Sequence, residues 1–293
     1  MCDQNDLDRF GALNRRRFAA AGGSAVLLAA CNAGGGASAT GSATSAANEA
    51  GLVARQVSIP TASGTISGWF YHPGEGRHPA VIMWPDIVGI RAASKAMGER
   101  LADEGYAVIV PDPYWRDEGH ATFADFADFM ESDGFATVTP YRDKLTPDAV
   151  SGDAKAIVAW LDAQDAVDTA RGIGANGHCM TGSWTVYAAN AVPERVTVAA
   201  SMHGGGLVTD SPQSPHRMLV PTASYLIAIG QNDDAKEPDA KTELRAAADA
   251  IGANAEIEVY SADHGWTVPD LPFYDQGQAE RAWGRMLAFL QAL

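Results

Sequence analysis

The sequence GIGANGHCMTG, residues 172–182, decides the fold of this 293-residue chain. Its first half has the small and apolar residues of a buried strand, and glycines stand on both sides of Cys179. Gly177, two residues before Cys179, permits a tight turn that lifts one side chain above a sheet, and a helical pattern follows over residues 183–189. The pattern predicts a strand, a sharp turn and a helix, the arrangement called a nucleophile elbow, with the Cys179 thiol at its tip.

The chemistry of Cys179 follows from the same turn. A helix amino terminus behind the thiol favours its negatively charged form, and backbone amides of the turn can face a reacting carbonyl group. Thr181 stands where such elbows usually have a second glycine. A buried cysteine with a purely structural role therefore remains the alternative interpretation.

Two polar groups follow Cys179 in the chain order that this elbow requires, which is nucleophile, then acid, then histidine. Asp233 comes four residues after Ile229, the end of one apolar run, and His264 comes four residues after Tyr260, the end of the next. Open α/β sheets place their sites at these carboxyl ends of strands. We predict that His264 accepts the thiol proton and that Asp233 orients it, with Asp234 and Asp263 as competitors for the acid role.

Apolar runs alternate with amphipathic patterns along the chain, which predicts an α/β fold with a mostly parallel central sheet of about eight strands and helices on both faces. The first two strands are expected to form an antiparallel edge. Helical stripes include Val150, Ala154, Ile157 and Leu161. The predicted strands are residues 53–59, 65–71, 80–84, 107–110, 172–176, 196–201, 224–229 and 255–260. Residues 116–141, rich in phenylalanine, are expected to form a cap or pocket wall.

The charge excludes some partners. The chain has 36 acidic and 21 basic residues, a formal net charge of -15, which repels nucleic acid and anionic membrane surfaces. We expect a small-molecule substrate, no nucleic acid and a monomer. His72, His78 and His120 do not have the spacing of metal ligands, so neither a metal nor a cofactor is expected.

The amino-terminal part has the pattern of an export signal over residues 1–31. Asn14-Arg15-Arg16-Arg17-Phe18 precedes a small and apolar run, which resembles a twin-arginine signal. Leu28-Ala29-Ala30-Cys31 resembles a lipobox in which Cys31 is lipidated; an unprocessed signal peptide in which Cys31 has no role is the alternative. Residues 32–52, mostly Gly, Ala, Ser and Thr, are expected to be a disordered tether, and residues 53–293 a catalytic domain. These patterns predict an exported protein, periplasmic or at the cell surface, whose membrane contact is the lipid on Cys31.

Several stretches together resemble the dienelactone hydrolase family of the α/β-hydrolase superfamily, over nearly all of residues 53–293. Trp84-Pro85-Asp86-Ile87-Val88-Gly89-Ile90 is similar to that family's oxyanion loop. The resemblance implies an oxyanion hole made by the amides of Ile87 and Met180. Asp86 stands where the family commonly has a glutamate that holds the thiol, and we expect the same role for it.

The resemblance also implies substrate contacts. Pro111-Asp112-Pro113-Tyr114-Trp115-Arg116 is similar to a family loop whose arginine binds a substrate carboxylate, so Arg116 is the expected contact. His203, at the start of His203-Gly204-Gly205-Gly206-Leu207, resembles part of a pocket loop, although a glycine-rich turn explains it equally. Trp266 is assigned to the same pocket. A further arginine that the family has after the catalytic histidine is missing, because Thr267-Val268-Pro269 follow Trp266.

The sequence therefore predicts a hydrolase of small esters or lactones that works through a Cys-His-Asp triad and a thioester acyl-enzyme. A general carboxylesterase or thioesterase is one alternative. A surface-anchored binding protein that keeps the fold without turnover is the other, since fold alone does not determine activity.

Overall fold

The computed structural model describes residues 51–293 and the backbone strand Ala46–Ala47. The strands are β1 (Ala46–Ala47), β2 (Leu52–Thr61), β3 (Gly64–Pro73), β4 (Ala80–Trp84), β5 (Ala107–Pro111), β6 (Ile173–His178), β7 (Val196–Met202), β8 (Ser224–Gly230) and β9 (Ala255–Tyr260). The helices are α1 (Ala92–Asp103), α2 (Phe126–Glu131), α3 (Gly134–Arg142), α4 (Pro147–Asp162), α5 (Trp184–Ala191), α6 (Gln231–Lys236), α7 (Ala240–Ile251) and α8 (Gln276–Leu290).

These strands form one sheet in the order β1-β2-β3-β5-β4-β6-β7-β8-β9. Strands β2 and β3 pair antiparallel at one side, and β4 to β9 pair parallel. Apart from the two-residue β1, the strands are the eight that the apolar runs predict. The carboxyl ends of the parallel strands meet at one edge of the sheet, where the three predicted triad residues follow β6, β8 and β9.

Helices cover both faces of the sheet, as the sequence predicts. Along β4 the side chains alternate: Ile82 and Trp84 pack in the core that α4, α5 and α7 cover, whereas Val81 and Met83 pack on the opposite face with α1 and α8. Every residue of β4 is buried. Burial on both faces explains why β4 and β5 are continuous apolar runs in the sequence. The α/β-hydrolase fold is thereby confirmed.

The phenylalanine-rich segment packs mainly on itself. The ring of Phe129 lies 4.9 Å from that of Phe123 and 4.8 Å from that of Phe135, in edge-to-face contacts. Phe123 and Phe129 are buried, whereas Met130 is exposed. The segment therefore has a small aromatic core of its own, built around α2 and α3.

The predicted tether lies mostly outside the described residues and stays a prediction. Within it, the backbone of Ala46–Ala47 pairs antiparallel with Val53 and Ala54 of β2, because an exposed strand edge can accept a partner whatever its side chains. Leu52, also assigned to the tether, begins β2. The predicted signal and Cys31 lie outside the described residues. Within residues 51–293 no helix has the length and apolar character needed to cross a bilayer.

Candidate active site

Cys179 lies at the tip of the elbow, directly after β6, and is 6% exposed. A short 3-10 turn, Cys179–Thr181, leads from it towards α5. Its φ angle of 55° is in the left-handed region, where a residue with a side chain costs about 1–2 kcal/mol. The turn also needs Gly177, since a Cβ there would lie 2.2 Å from the carbonyl oxygen of Thr181. The backbone holds the thiol in a strained position, as expected of an elbow.

Thr181 stands where such elbows usually have a second glycine, and its contacts explain why a threonine is accepted there. Its hydroxyl accepts the amide hydrogen of His178 at 3.0 Å and lies 3.1 Å from the carbonyl oxygen of Trp84, so it joins the ends of β6 and β4. The close backbone approach occurs one residue later. A Cβ on Gly182 would lie 2.4 Å from the Cα atom of Gly204. The glycine requirement of the elbow is therefore met at Gly182.

His264 and Asp233 meet beyond the carboxyl ends of β9 and β8. Nδ1 of His264 lies 2.9 Å from Oδ2 of Asp233 and 3.1 Å from its Oδ1. The backbone amide of His264 donates to Oδ1 of Asn232 at 2.8 Å, which fixes the histidine loop. Gly230 leaves room for this arrangement, since a Cβ there would lie 2.7 Å from Oδ2 of Asp233. The pair has the geometry of an orienting carboxylate and a general base.

Both competitors for the acid role have other partners. Oδ1 of Asp234 accepts a hydrogen bond from Lys241 at 2.5 Å. Oδ1 of Asp263 accepts one from the side chain of Gln231 at 3.1 Å. Of the three candidate carboxylates, Asp233 is the one within hydrogen-bond distance of a His264 ring nitrogen.

Tyr114 joins the two segments that are predicted to supply the oxyanion hole. Its hydroxyl donates to the carbonyl oxygen of Ile87 at 2.6 Å and lies 3.8 Å from Sδ of Met180. Burial raises the pKa of Tyr114 well above its ordinary value, so the hydroxyl keeps its proton and stays a donor. The oxyanion role of the Ile87 and Met180 amides stays a prediction, with Tyr114 as a contact that fixes the Ile87 loop.

Asp86 is paired with an arginine. Nη1 and Nη2 of Arg91 donate to its two carboxylate oxygens at 2.7 and 2.9 Å, and both side chains are almost fully buried. Arg91 also binds Asp270, at 2.6 and 2.7 Å. Burial lowers the pKa of Arg91, but the two carboxylates outweigh it and raise the pKa, which keeps the guanidinium charged. The thiol-positioning role of Asp86 stays a prediction. Arg91 holds the predicted oxyanion loop through Asp86, a contact that the sequence does not reveal.

The expected contact between Arg116 and a substrate carboxylate also finds no support. Its guanidinium donates to both carboxylate oxygens of Asp153 on α4 at 2.7 Å and to the carbonyl oxygen of Ala149. It also lies over the ring of Trp115. Because Asp153 is buried, the ion pair holds the loop to α4 and directs the arginine into the protein.

The predicted substrate contacts of His203 and Trp266 stay predictions, and the structure shows that both side chains are fully buried. Nδ1 of His203 accepts the backbone N–H of Cys179 at 3.2 Å, and its ring lies 4.8 Å from that of His264. Trp266 stacks on Tyr260, with ring centroids 5.3 Å apart. His203 contacts the catalytic candidates from beneath, and Trp266 packs in the core.

His178, the residue before Cys179, is buried beneath the elbow. Its ring nitrogens bind the Thr267 hydroxyl and Oδ1 of Asn176, at 2.8 and 2.9 Å. Burial lowers its pKa to about 4, so the ring is neutral at pH 7. The roles of Thr267 and Asn176 have no signal in the sequence, because their partners come from distant segments.

Comparisons with known proteins agree with this arrangement. The model of the dienelactone hydrolase family matches residues 66–293. A Synechocystis sp. (strain ATCC 27184 / PCC 6803 / Kazusa) protein assigned as a carboxymethylenebutenolidase is 27% identical over 80% of this chain and 95% of its own. The carboxymethylenebutenolidase of Pseudomonas sp. (strain P51) is 26% identical over 75% of this chain and 87% of its own.

A solved structure gives the same result. The crystal structure of a Klebsiella pneumoniae protein assigned as a dienelactone hydrolase superposes with a TM-score of 0.70 and 26% identity, over 83% of this chain and 99% of the other. The family match covers most of the chain, and the elbow, the histidine and the carboxylate lie at the strand ends where such enzymes have their sites. The chain therefore belongs to the dienelactone hydrolase family and is a carboxylic ester hydrolase.

Proposed function

We propose that the protein hydrolyses small esters or lactones with Cys179 as nucleophile, His264 as general base and Asp233 as the orienting acid. The observation that carries the proposal is the bond between Nδ1 of His264 and Asp233, next to a strained cysteine elbow. With Nδ1 bound to the carboxylate, Nε2 of His264 is the nitrogen that exchanges protons with the thiol and with the substrate.

The reaction has two halves. In the first, the Cys179 thiol passes its proton to His264 while sulfur bonds to the carbonyl carbon, and the oxyanion is stabilised by the amides of Ile87 and Met180. Cleavage of the carbon–oxygen bond leaves a thioester, and the departing alkoxide takes the proton from His264. In the second half, water passes a proton to His264 and attacks the thioester. The acid leaves, and the thiolate is protonated again.

The first test is hydrolysis of p-nitrophenyl acetate and of dienelactone by the protein and by its Cys179→Ala and His264→Ala variants, with folding of each checked by circular dichroism. We expect activity in the wild type and a loss of at least about 1,000-fold in both variants. A folded wild type that is inactive on both esters, with a thiol that does not react with iodoacetamide, would contradict the proposal. The protein would then be a binding protein on a hydrolase fold.

One observation favours a second candidate, a general carboxylesterase that needs no carboxylate on its substrate. The arginine expected to bind that carboxylate, Arg116, is paired with buried Asp153. A comparison of kcat/KM for dienelactone and for its methyl ester decides between the two candidates. We expect the two kcat/KM values to lie within about tenfold of each other. An enzyme that binds the carboxylate through a charge-assisted contact would lose roughly 1.5–3 kcal/mol with the methyl ester, which is a larger difference.

A strong preference for the free carboxylate would reject this second candidate and would require another cation near the site. Arg142, at the end of α3, is the cation to substitute first, because its charge acts on the Tyr114 hydroxyl and lowers that pKa against the effect of burial. Comparison of Arg142→Ala with Arg116→Ala would then identify the contact.

A further inference from the structure

We infer that His203 is a positioning residue for both the nucleophile and the general base, and that it is the first member of a one-directional hydrogen-bond chain through Thr267 and His178 to Asn176. This inference rests on the proposed function, because it assigns the roles of Cys179 and His264. It concerns the groups beneath the elbow that hold those two residues in place.

The first bond of the chain fixes the tautomer of His203. The backbone N–H of Cys179 can only donate, and its acceptor is Nδ1 of His203 at 3.2 Å. Nδ1 therefore carries a lone pair and no hydrogen. An imidazolium has hydrogens on both nitrogens, so His203 must be neutral, with its single N–H on Nε2.

The two ends of the chain fix the bonds between them. Nε2 of His203 donates to the Thr267 hydroxyl at 2.8 Å. At the other end the Asn176 amide donates to the carbonyl oxygen of Ala200 at 3.2 Å, so Oδ1 of Asn176 accepts from Nε2 of His178 at 2.9 Å. Because neutral His178 then has no hydrogen on Nδ1, this nitrogen accepts the hydroxyl hydrogen of Thr267, also at 2.8 Å. All four side chains are at least nine-tenths buried. Because the chain is satisfied at every step, no buried polar atom in it opposes this arrangement.

The chain acts on the site through one ring. The bond to His203 fixes the amide of Cys179, whose φ of 55° is unfavourable, and His203 itself has a φ of 41°. The same ring lies 4.8 Å from that of His264, tilted by 66°. A neutral ring is needed there, since a charged His203 would repel His264 when His264 holds the proton taken from the thiol. Burial, the largest cause, keeps the pKa of His203 well below its ordinary value.

The kinetic test compares three variants with the wild type, using p-nitrophenyl acetate. In His203→Phe the ring remains and both nitrogens are lost. In His203→Asn, Oδ1 can replace Nδ1 as acceptor, and in Thr267→Val a side chain of similar shape loses its hydroxyl.

We expect His203→Phe to lower kcat about 100-fold with little change in KM, because small displacements of reacting groups cost that much. His203→Asn should recover roughly tenfold of this loss. Thr267→Val should give a smaller loss than His203→Phe.

A purely structural role predicts another result: lower thermal stability with the kcat of the folded protein unchanged in all three variants. That result would overturn the inference. If wild-type protein hydrolyses the ester and His203→Phe matches its kcat, the inference fails while the proposed function stands.

A second measurement needs no activity and uses the wild-type protein, so it serves even if the phenylalanine variant does not fold. In protein labelled with 15N-histidine, the ring signals that disappear in His203→Asn belong to His203. At neutral pH we expect a protonated Nε2 and an unprotonated Nδ1. A hydrogen on Nδ1 would overturn the chain. If His203 has the expected tautomer but the protein has no esterase activity, the hydrogen-bond chain stands and the proposed function fails.

Discussion

Asp233 and Asp234 are neighbours in the sequence, but they have different partners in the structure: the first binds His264 and the second binds Lys241. We predict that Asp233→Asn lowers kcat about 1,000- to 10,000-fold, because an amide favours the wrong tautomer of His264. Asp234→Asn is the matched control and should stay within about threefold of the wild type. Steady-state kinetics with p-nitrophenyl acetate measures both, and the reverse order of effects would reject Asp233 as the acid.

Gly182 gives a second prediction at the scale of one residue. A methyl group there would lie 2.4 Å from the backbone of Gly204, whereas a methyl group on Gly152 of α4 has nothing within 4 Å. Gly182→Ala should lower the free energy of unfolding by roughly 1–3 kcal/mol and reduce activity, because the His203 loop must move. Gly152→Ala should raise it by about 0.5–1 kcal/mol, since alanine favours a helix. Urea unfolding checks both signs, and a destabilising Gly152→Ala would contradict the packing described.

Part of the candidate site is predictable from the sequence. Cys179, Asp233 and His264 are candidates because each lies just past the end of a recognisable strand. The chain beneath them is not predictable, since Thr267 meets His203 and His178 across 64 and 89 residues. The resemblance assigns Arg116 and His203 to substrate contacts. In the structure Arg116 pairs with Asp153 and His203 binds Thr267, and only the fold brings these partners together.

At the scale of elements, the cluster of Asp86, Arg91 and Asp270 joins four parts of the molecule; Asp86 and Arg91 are buried and Asp270 is partly buried. Asp86 belongs to the predicted oxyanion loop, Arg91 is the N-cap of α1, and Asp270 follows the histidine loop and accepts the amide hydrogen of Phe126 in α2. The guanidinium of Arg91 donates hydrogen bonds to both carboxylates, Asp86 and Asp270. The cluster therefore couples the phenylalanine-rich segment to both loops of the candidate site.

We predict that Arg91→Met lowers the free energy of unfolding by about 3–5 kcal/mol, because it leaves Asp86 buried without its partner. Arg100→Met, in the same helix, removes an exposed pair with Glu280 and should cost less than about 1 kcal/mol. Chemical unfolding of both variants gives the comparison. Equal effects would mean that the buried cluster contributes no more than a surface ion pair.

Strands were easier to predict than their surroundings for a physical reason. A parallel strand that is buried on both faces is a continuous apolar run, so β4, β5 and β8 stand out in the sequence. The pairing of Ala46–Ala47 with β2 has no such signal, because it uses only backbone groups of two small residues.

At the scale of the whole molecule, two buried neutral histidines make the fold sensitive to acid. Burial lowers the pKa of His178 to about 4 and that of His203 well below its ordinary value. Below about pH 6.5 the unfolded chain binds protons at both rings while the folded chain does not, so the free energy of unfolding falls as the pH falls from about 6.5 towards 4.

Each histidine contributes a slope of about 1.4 kcal/mol per pH unit in this range. We predict that His178→Gln, although less stable at pH 7, loses stability less steeply than the wild type between pH 6.5 and 4.5. Urea unfolding at a series of pH values measures the two slopes. Parallel curves would show that His178 titrates normally in the folded protein.

We also propose that residues 1–31 direct export and that Cys31 carries a lipid, as their sequence patterns indicate. In a bacterial host, the full chain should fractionate with membranes and incorporate labelled palmitate. Cys31→Ala should abolish the label and release the protein, and replacement of Arg15 and Arg16 by lysine should reduce export. Labelling that persists in Cys31→Ala would contradict the proposal.

The identity of the nucleophile is the central claim, and trapping of the acyl-enzyme tests it most directly. The protein is mixed with p-nitrophenyl acetate, quenched in acid within the first turnover, digested with trypsin and analysed by mass spectrometry. We predict one acetyl group on the peptide of residues 172–195, with fragment ions that place it on Cys179 and not on Thr181 or Ser183, and no adduct in Cys179→Ala. An acetyl group on another residue, or turnover that persists in Cys179→Ala, would contradict the account.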